Sequence, residues 1–272
     1  MVTRYLFLDG GCLRARVKDV AHRYCEGAPL KINWWSLSAG YEKIFYYDAL
    51  PARKPSQSDE DFEAERQDVE HLHAKLATFD RFRVNEGDTR YRKGRGLEQK
   101  KVDVMIAVDM MIHTIRRNMT AASLLAGDAD FTPLLNALSN EGMFVTLIHP
   151  PKASKDLLAA ADARRALSAR QVYDWLDPPS QARFGPFPTP SYGNASHDGN
   201  CQHIWSNDRL GVEIWCELID DTIWASWPEP ERSDRLSLRG GSWANTQRVA
   251  SDDYGIQFPT ELPEEFRHLQ GS

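Results

Sequence analysis

Short apolar runs alternate with amphipathic stretches along the first two-thirds of the chain. Thr3 to Asp9, TRYLFLD, is a strand-length apolar run that ends in an aspartate and is broken by Gly10 and Gly11. From about Cys12 to Cys25, Leu13, Val17, Val20, Ala21 and Tyr24 recur at helical spacing. Tyr41 to Asp48, YEKIFYYD, reads as a second, aromatic-rich strand, and the polar ALPARKPSQSDED after it reads as a loop. A long helix then runs to about Thr78, with Phe62, Val69, Leu72 and Leu76 as its apolar positions and Asp59 or Asp61 as its cap. His71 and His73 lie two apart on it, on different faces, and read as surface or packing histidines. Residues 81–101 read as a strand, a turn and a second extended arm, and about Asp103 to Asn118 as a helix. The small apolar run Ala121 to Ala126 reads as a buried strand that stops at Gly127. Pro133 suits the first turn of the helix that follows, which runs to about Glu141. Met143 to His149 is a further strand, Ser154 to about Ala169 a helix, and Val172 and Tyr173 a last short strand. The alternation predicts an α/β domain: a doubly wound, mostly parallel sheet with helices on both faces, ending near Asp177.

Composition changes after that point. Residues 178–190, PPSQARFGPFPTP, read as a Pro-rich linker. Residues 191–272 hold five of the eight tryptophans, and VEIWCELIDDTIWASW predicts two alternating strands around an Asp-Asp turn, hence a small β-rich module. Tryptophans at strand spacing are more often core than a stacking surface for bases or sugars. The net charge of −6 is unevenly spread: from Gln181 onward there are 7 Arg, no Lys and 14 Asp or Glu. The acidity therefore belongs to the C-terminal third, which argues against independent nucleic-acid binding there and suits a protein partner or a second copy of the chain. No apolar run reaches the roughly 20 residues of a membrane span, and the N-terminus reads as a first strand and not as a signal peptide. The four cysteines, Cys12, Cys25, Cys201 and Cys216, form no zinc or disulfide spacing, so a reducing cytoplasm is expected.

Chemistry enters through the strand ends. Asp9 and Asp128 both stand where a parallel strand gives way to a helix, the edge at which open α/β sheets place ligands. Asp130 follows on the same Gly-initiated turn. Asp109 lies in a very apolar helical setting, IAVDMMI, where a carboxylate is costly unless paired or bound to a metal. Asp103, six residues earlier, points about 120° away and belongs at the helix start or the rim of the site. So many carboxylates repel one another, and one or two Mg²⁺ or Mn²⁺ ions would relieve this; oxygen-only ligands suit those hard ions better than zinc. Residues 81–101 hold eight basic residues against three acidic ones. Arg90, Arg92, Lys93, Arg95, Lys100 and Lys101 form a candidate phosphate-binding arm directly before the acidic helix.

The segments FLDGG, KKVDVMIAVDMM and LLAGDADFTPLLNALSNEGMFV, spread over residues 1–150, resemble the NYN family (LabA-like, or DUF88) of PIN-like nucleases. The resemblance implies a PIN-like α/β fold over residues 1–177. It also implies a Mg²⁺- or Mn²⁺-dependent endoribonuclease in which Asp9, Asp109, Asp128 and Asp130 are catalytic and metal-binding. Asp103 is a further acidic member, and the substrate is single-stranded or structured RNA. Cys12 stands where the family pattern has Asn, Ala126 where it has Ser, and Lys101 where it has Gly. A non-catalytic RNA-binding scaffold on the same fold is the alternative that Cys12 allows. A phosphatase-like hydrolase ranks third, because Gly11 stands where such enzymes need a second Asp.

Overall fold

The computed structural model describes residues 2–53, 56–92, 96–184, 187–192, 200–229 and 234–271; in 88–92, 96–100 and 270–271 it describes the backbone alone. It divides into two compact units, Met1–Val20 with Ile32–Trp175, and Ala21–Lys31 with Leu176–Ser272.

The first unit is the expected α/β domain. In chain order its elements are β1 (Arg4–Asp9), α1 (Gly10–Tyr24, whose last turn belongs to the second unit), α2 (Trp34–Ser38), β2 (Lys43–Ala49), α3 (Asp59–Ala77), β3 (Phe82–Arg92), β4 (Gly96–Lys100), α4 (Val102–Ile115), β5 (Ala121–Leu125), a 3₁₀ turn (Ala129–Phe131), α5 (Thr132–Asn140), β6 (Phe144–His149), α6 (Lys155–Ala159), β7 (Ala163–Ala166) and α7 (Ala169–Asp174). The sheet order is β4-β3-β2-β1-β5-β6-β7; six strands run parallel, and β4 is the antiparallel arm of a hairpin with β3. The chain winds outward from β1 through β2 and β3, then crosses to β5 and winds the other way. The switch point therefore lies between β1 and β5, where a crevice opens at the carboxyl ends of the strands.

Strand register decides which residues share a face. Phe7 pairs with Phe45 and Asp9 with Tyr47, so all four lie on one face. The rings of Phe7 and Phe45 stack at 5.0 Å, and with Tyr47 they pack beneath Ile106 and Met110 of α4 and Leu135 and Leu138 of α5. Each such fully buried side chain contributes about 1.5–3 kcal/mol. The opposite face carries Leu6, Leu8, Ile44 and Tyr46; the Tyr46 ring meets Trp34 at 5.7 Å and His73 at 5.8 Å, both edge-on.

Several boundaries differ from the sequence expectation. Ser58, not Asp59 or Asp61, caps α3: its side chain accepts from the Asp61 N–H, leaving three acidic residues in the first turn where the helix dipole favours them. The stretch expected as one helix from Ser154 holds only the single-turn-scale α6 and then the edge strand β7. Val172 and Tyr173, expected as a strand, lie in α7, because Ser168 accepts from the Gln171 N–H and starts a new helix. α2 is too short to carry a helical period: it spans five residues, and the Asn33 side chain caps it.

The second unit is built on a five-stranded antiparallel sheet in the order β8-β12-β11-β10-β9. Its elements are α8 (Pro178–Phe184), β8 (Thr189–Tyr192), β9 (Cys201–Asn207), β10 (Val212–Glu217), β11 (Thr222–Pro228), β12 (Arg235–Gly240) and α9 (Trp243–Tyr254). The expected Asp-Asp turn joins β10 to β11. The stretch 178–190 expected as a linker instead forms α8 and enters β8, with Ser180 and Phe184 buried. One sheet face buries Ile214, Ile223, Ala225 and Leu238; Trp227 of β11 is buried as expected of a strand tryptophan, and Trp243 of α9 is buried too. Trp205, Trp215 and Trp224 are half-buried.

Candidate functional site

Two of the expected aspartates stand at the switch point. β1 and β5 are hydrogen-bonded neighbours, with Leu8 opposite Leu125, so Asp9 ends one strand while Ala126, Gly127 and Asp128 leave the other beside it. Each aspartate is held by the main chain of the turn it starts. Asp9 Oδ1 accepts the Cys12 N–H at 3.0 Å, and Asp128 Oδ1 accepts the Asp130 N–H at 3.0 Å, capping the 3₁₀ turn. Gly127 has no room for a side chain, since a Cβ there would stand 2.6 Å from Pro150 Cγ. Cys12 closes the gap between the two strand ends: its Sγ lies 3.7 Å from that same Cβ position. Burial, reinforced by Asp9, pushes the Cys12 thiol up to about 12.

The third carboxylate of this group comes from α4 and is Asp103. α4 starts at Lys101, whose left-handed φ of 83° turns the chain out of the β3–β4 hairpin, and Asp103 falls in the first helical turn. Its carboxyl is raised above the ordinary range, first by burial and then by the negative charges of Asp128 and Asp130. The Asp9 carboxyl is raised too: burial dominates, the Cys12 N–H works against it, and Asp103 adds to the rise. Asp9, Asp103, Asp128 and Asp130 therefore form one electrostatically linked group, with Asp128 and Asp130 exposed. Among the described residues, no three His, Cys, Asp or Glu side chains stand at metal-binding spacing.

Asp109 is engaged elsewhere. It lies six residues beyond Asp103, about 9 Å along the axis and about 120° around it, and its Oδ2 accepts the buried Tyr47 hydroxyl at 2.7 Å. That bond supplies the partner that a carboxylate in this apolar setting requires, while Asp103 is the helix carboxylate that senses Asp128 and Asp130. Of the basic arm, β3 and β4 form the expected hairpin, with Arg90 opposite Glu98 and Arg92 opposite Gly96. Lys101 is exposed at the start of α4. The side chains of Arg90, Arg92 and Lys100, and the whole of Lys93 and Arg95, lie outside the described residues.

A second polar cluster, on the opposite face at the same sheet edge, was not anticipated. Asp48 at the end of β2 is fully buried, 0% exposed. It is paired with Arg14, accepts the Tyr46 hydroxyl at 2.9 Å and the Ala49 N–H at 2.8 Å, and lies 3.4 Å from His73 Nε2. His73 Nδ1 stands 2.9 Å from Glu86, the residue opposite Asp48 on β3. His73 is thus a buried bridge between two carboxylates and not a surface histidine. The signal in the sequence was the final aspartate of YEKIFYYD, which ends its strand as Asp9 does.

Comparison with known proteins sets this geometry in context. Over 65% of this chain and 97% of its own, the crystal structure of a protein of unknown function from Vibrio parahaemolyticus matches with a TM-score of 0.43 at 17% identity. A chitinase from Chromobacterium violaceum matches over 94% of this chain and 92% of its own, with a TM-score of 0.24 at 10% identity. Neither likeness is close enough to carry a functional argument. No curated protein matches. The NYN domain model matches residues 42–168, which takes in Asp48, Asp103, Asp109, Asp128 and Asp130 and begins after β1. Residues 42–168 of the chain thus carry an NYN domain, and NYN domains are PIN-like nuclease domains.

Proposed function

We propose that this protein is a metal-dependent endoribonuclease whose site is the group Asp9, Asp103, Asp128 and Asp130. The observation that supports the proposal is the placing of Asp9 and Asp128 at the β1/β5 switch point, with Asp103 close enough to feel Asp128 and Asp130 and to act on Asp9, in a chain whose residues 42–168 match the NYN domain. The donor set fits Mg²⁺ or Mn²⁺: it is all oxygen, and burial and mutual repulsion already hold Asp9 and Asp103 above the ordinary carboxylate range, a penalty that a cation removes. What the chain supplies is a donor set and not a finished coordination shell. These four residues would hold the ion, which would supply the charge that activates a water and stabilises the leaving oxygen of a phosphodiester.

The chain's own residues do the positioning. Main-chain N–H groups of Cys12 and Asp130 fix the carboxylates of Asp9 and Asp128, which lowers the ordering cost of binding. The β3–β4 hairpin runs straight into α4, so Arg90, Arg92, Lys93, Arg95, Lys100 and Lys101 would bring the RNA backbone to the start of the helix that carries Asp103. Among the described residues no helix is long and apolar enough to cross a membrane. Among the described residues no cysteine forms a disulfide, in keeping with the cytoplasm as the compartment. The second unit would serve a protein partner or self-association.

The test is cleavage of labelled RNA with Mn²⁺ or Mg²⁺, with EDTA as control, beside Asp128→Asn. Metal-dependent cleavage by the wild type that the variant lacks is the expected result; equal trace activity in both ends the nuclease proposal. Cys12 favours one other reading, an RNA-binding scaffold on the same fold. RNA binding without cleavage would be its signature.

A further inference from the structure

The cluster around Asp48 ends in a cation placed at the edge of the acidic site. A carboxylate as deeply buried as Asp48 is stable only when paired and hydrogen-bonded. Arg14 supplies the pairing, and both of its contacts, to Asp48 and at 3.3 Å to the Tyr46 hydroxyl, use Nη1. Among the described residues, Nε and Nη2 have no hydrogen-bond partner. The Arg14 side chain is 37% exposed, so it is anchored through one nitrogen while part of it stays open to solvent.

Its position relative to Asp9 is set by packing. Gly10, next to Asp9, lies directly on this cluster: a Cβ there would stand 2.5 Å from Tyr46 Oη and 2.9 Å from Asp48 Cγ. Arg14 follows Gly10 by four residues on α1 and so occupies the same helix face one turn on. Asp9 projects on one face of the sheet and Asp48 on the other, and the two faces meet at the carboxyl edge. The proximity is felt electrostatically, because Arg14 draws the Asp9 carboxyl downward against the larger effect of burial.

Resting on the nuclease reading for the chemical class of the ligand, we propose that Arg14 is a phosphate-contacting residue. Its Nε and Nη2 donate to a non-bridging oxygen of an RNA phosphate at the Asp9 edge, and Asp48 and His73 act as positioning residues that hold the guanidinium there. The need for such a group is plain. An RNA phosphate approaching Asp9, Asp103, Asp128 and Asp130 meets four like charges, and a planar fork with two uncommitted donors matches a phosphate better than a point charge would.

The test uses the full chain, wild type beside Arg14→Ala and the double variant Arg14→Met/Asp48→Asn, which removes both members of the ion pair and leaves no orphan carboxylate should the single variant fail to fold. Binding of a fluorescein-labelled single-stranded RNA is measured in EDTA over a range of salt concentrations, and cleavage separately in Mn²⁺. Loss of one phosphate contact makes the slope of log K against log salt shallower by about 0.7, and cleavage falls by about 10²- to 10³-fold, mainly in kcat. Partial rescue of Arg14→Ala cleavage by millimolar guanidinium is expected, a response that a merely structural arginine would not give. A folded variant with the wild-type salt slope overturns the assignment, as does a wild type with no salt-dependent RNA binding. The nuclease reading fails separately, if wild type and Asp128→Asn cleave alike, and the salt slope still decides the role of Arg14 in that case.

Discussion

Asp103 and Asp109 lie on one helix and are one substitution type apart, yet the structure gives them opposite consequences. Asp103 is half-buried and raised by burial and by Asp128 and Asp130. A carboxyl whose folded pKa lies above its unfolded value binds protons more readily in the folded state, so its charged form costs stability at neutral pH. That cost is present above the folded pKa and is relieved as pH falls from there toward the ordinary value of 3.8. Asp103→Asn removes the cost. Because solvent screens a half-exposed group, the gain should sit at the low end of what charge relief yields, about 0.5–1 kcal/mol. In a unit of this size that is a rise in Tm of roughly 1–4 °C. Cleavage should be lost.

Asp109→Asn should do the reverse. The Tyr47 hydroxyl keeps an oxygen to donate to, but a charge-assisted bond at 2.7 Å becomes a neutral one. The expected loss is about 1 kcal/mol, a fall in Tm of roughly 2–4 °C, with cleavage largely retained. The assay is thermal unfolding of both variants at pH 5 and pH 8, paired with Mn²⁺-dependent cleavage of labelled RNA. The Asp103→Asn gain should shrink at the lower pH. A variant set in which Asp109→Asn abolishes cleavage while Asp103→Asn leaves it intact would refute the assignment made from the geometry. If both abolish it at unchanged stability, the separation of the two along α4 has no functional meaning.

Other outcomes follow from single contacts. Cys12→Asn restores the residue of the family pattern between the two strand ends and should raise Mn²⁺-dependent cleavage by about 10-fold; a fall in activity would mean that the thiol itself suits this site. With its thiol pushed up to about 12, Cys12 should be alkylated at pH 8 roughly a thousandfold more slowly in the native than in the denatured chain, scored by peptide mass spectrometry. Comparable rates would contradict the burial. Gly10→Ala, whose Cβ would meet Tyr46 Oη at 2.5 Å, should cost about 1–3 kcal/mol by overpacking, read as a drop of several degrees in Tm. Neutralising Arg92, Lys93 and Arg95 together should weaken RNA binding and flatten its salt dependence; an unchanged slope would remove the hairpin from the RNA path.

What was legible in the sequence is the local part. Strand ends, glycine breaks and helical periodicity give β1, β2, α3, α4, β5 and α5 to within a few residues, because each is decided by burial on one or two faces of a short segment. The edge elements were misread for the converse reason. β7 is only four residues long with three of them exposed, so it carries no apolar signature, and α7 and α8 owe their starts to single hydrogen bonds accepted by the Ser168 and Asp177 side chains from the Gln171 and Ser180 N–H groups.

The site shows the same division more sharply. The sequence identifies carboxylates at strand ends but cannot say which of them share a face. β1, β2 and β3 each have an acidic residue at or near the carboxyl edge: Asp9, Asp48 and Glu86. Had Asp9 paired with Asp48, the two would point to the same side and repel. The register instead sets Asp9 against Tyr47 and Asp48 against Glu86. With a side-chain period of two, the one-residue offset between β1 and β2 sends Asp9 to one face and Asp48, together with Glu86, to the other. Tyr47 then reaches Asp109 on the α4 side, and Tyr46 reaches Asp48 on the α1 side. A single offset in register thus separates the acidic group proposed to hold a cation from a buried carboxylate that needs Arg14, and it brings that arginine to the edge where, on that proposal, a phosphate would meet Asp9.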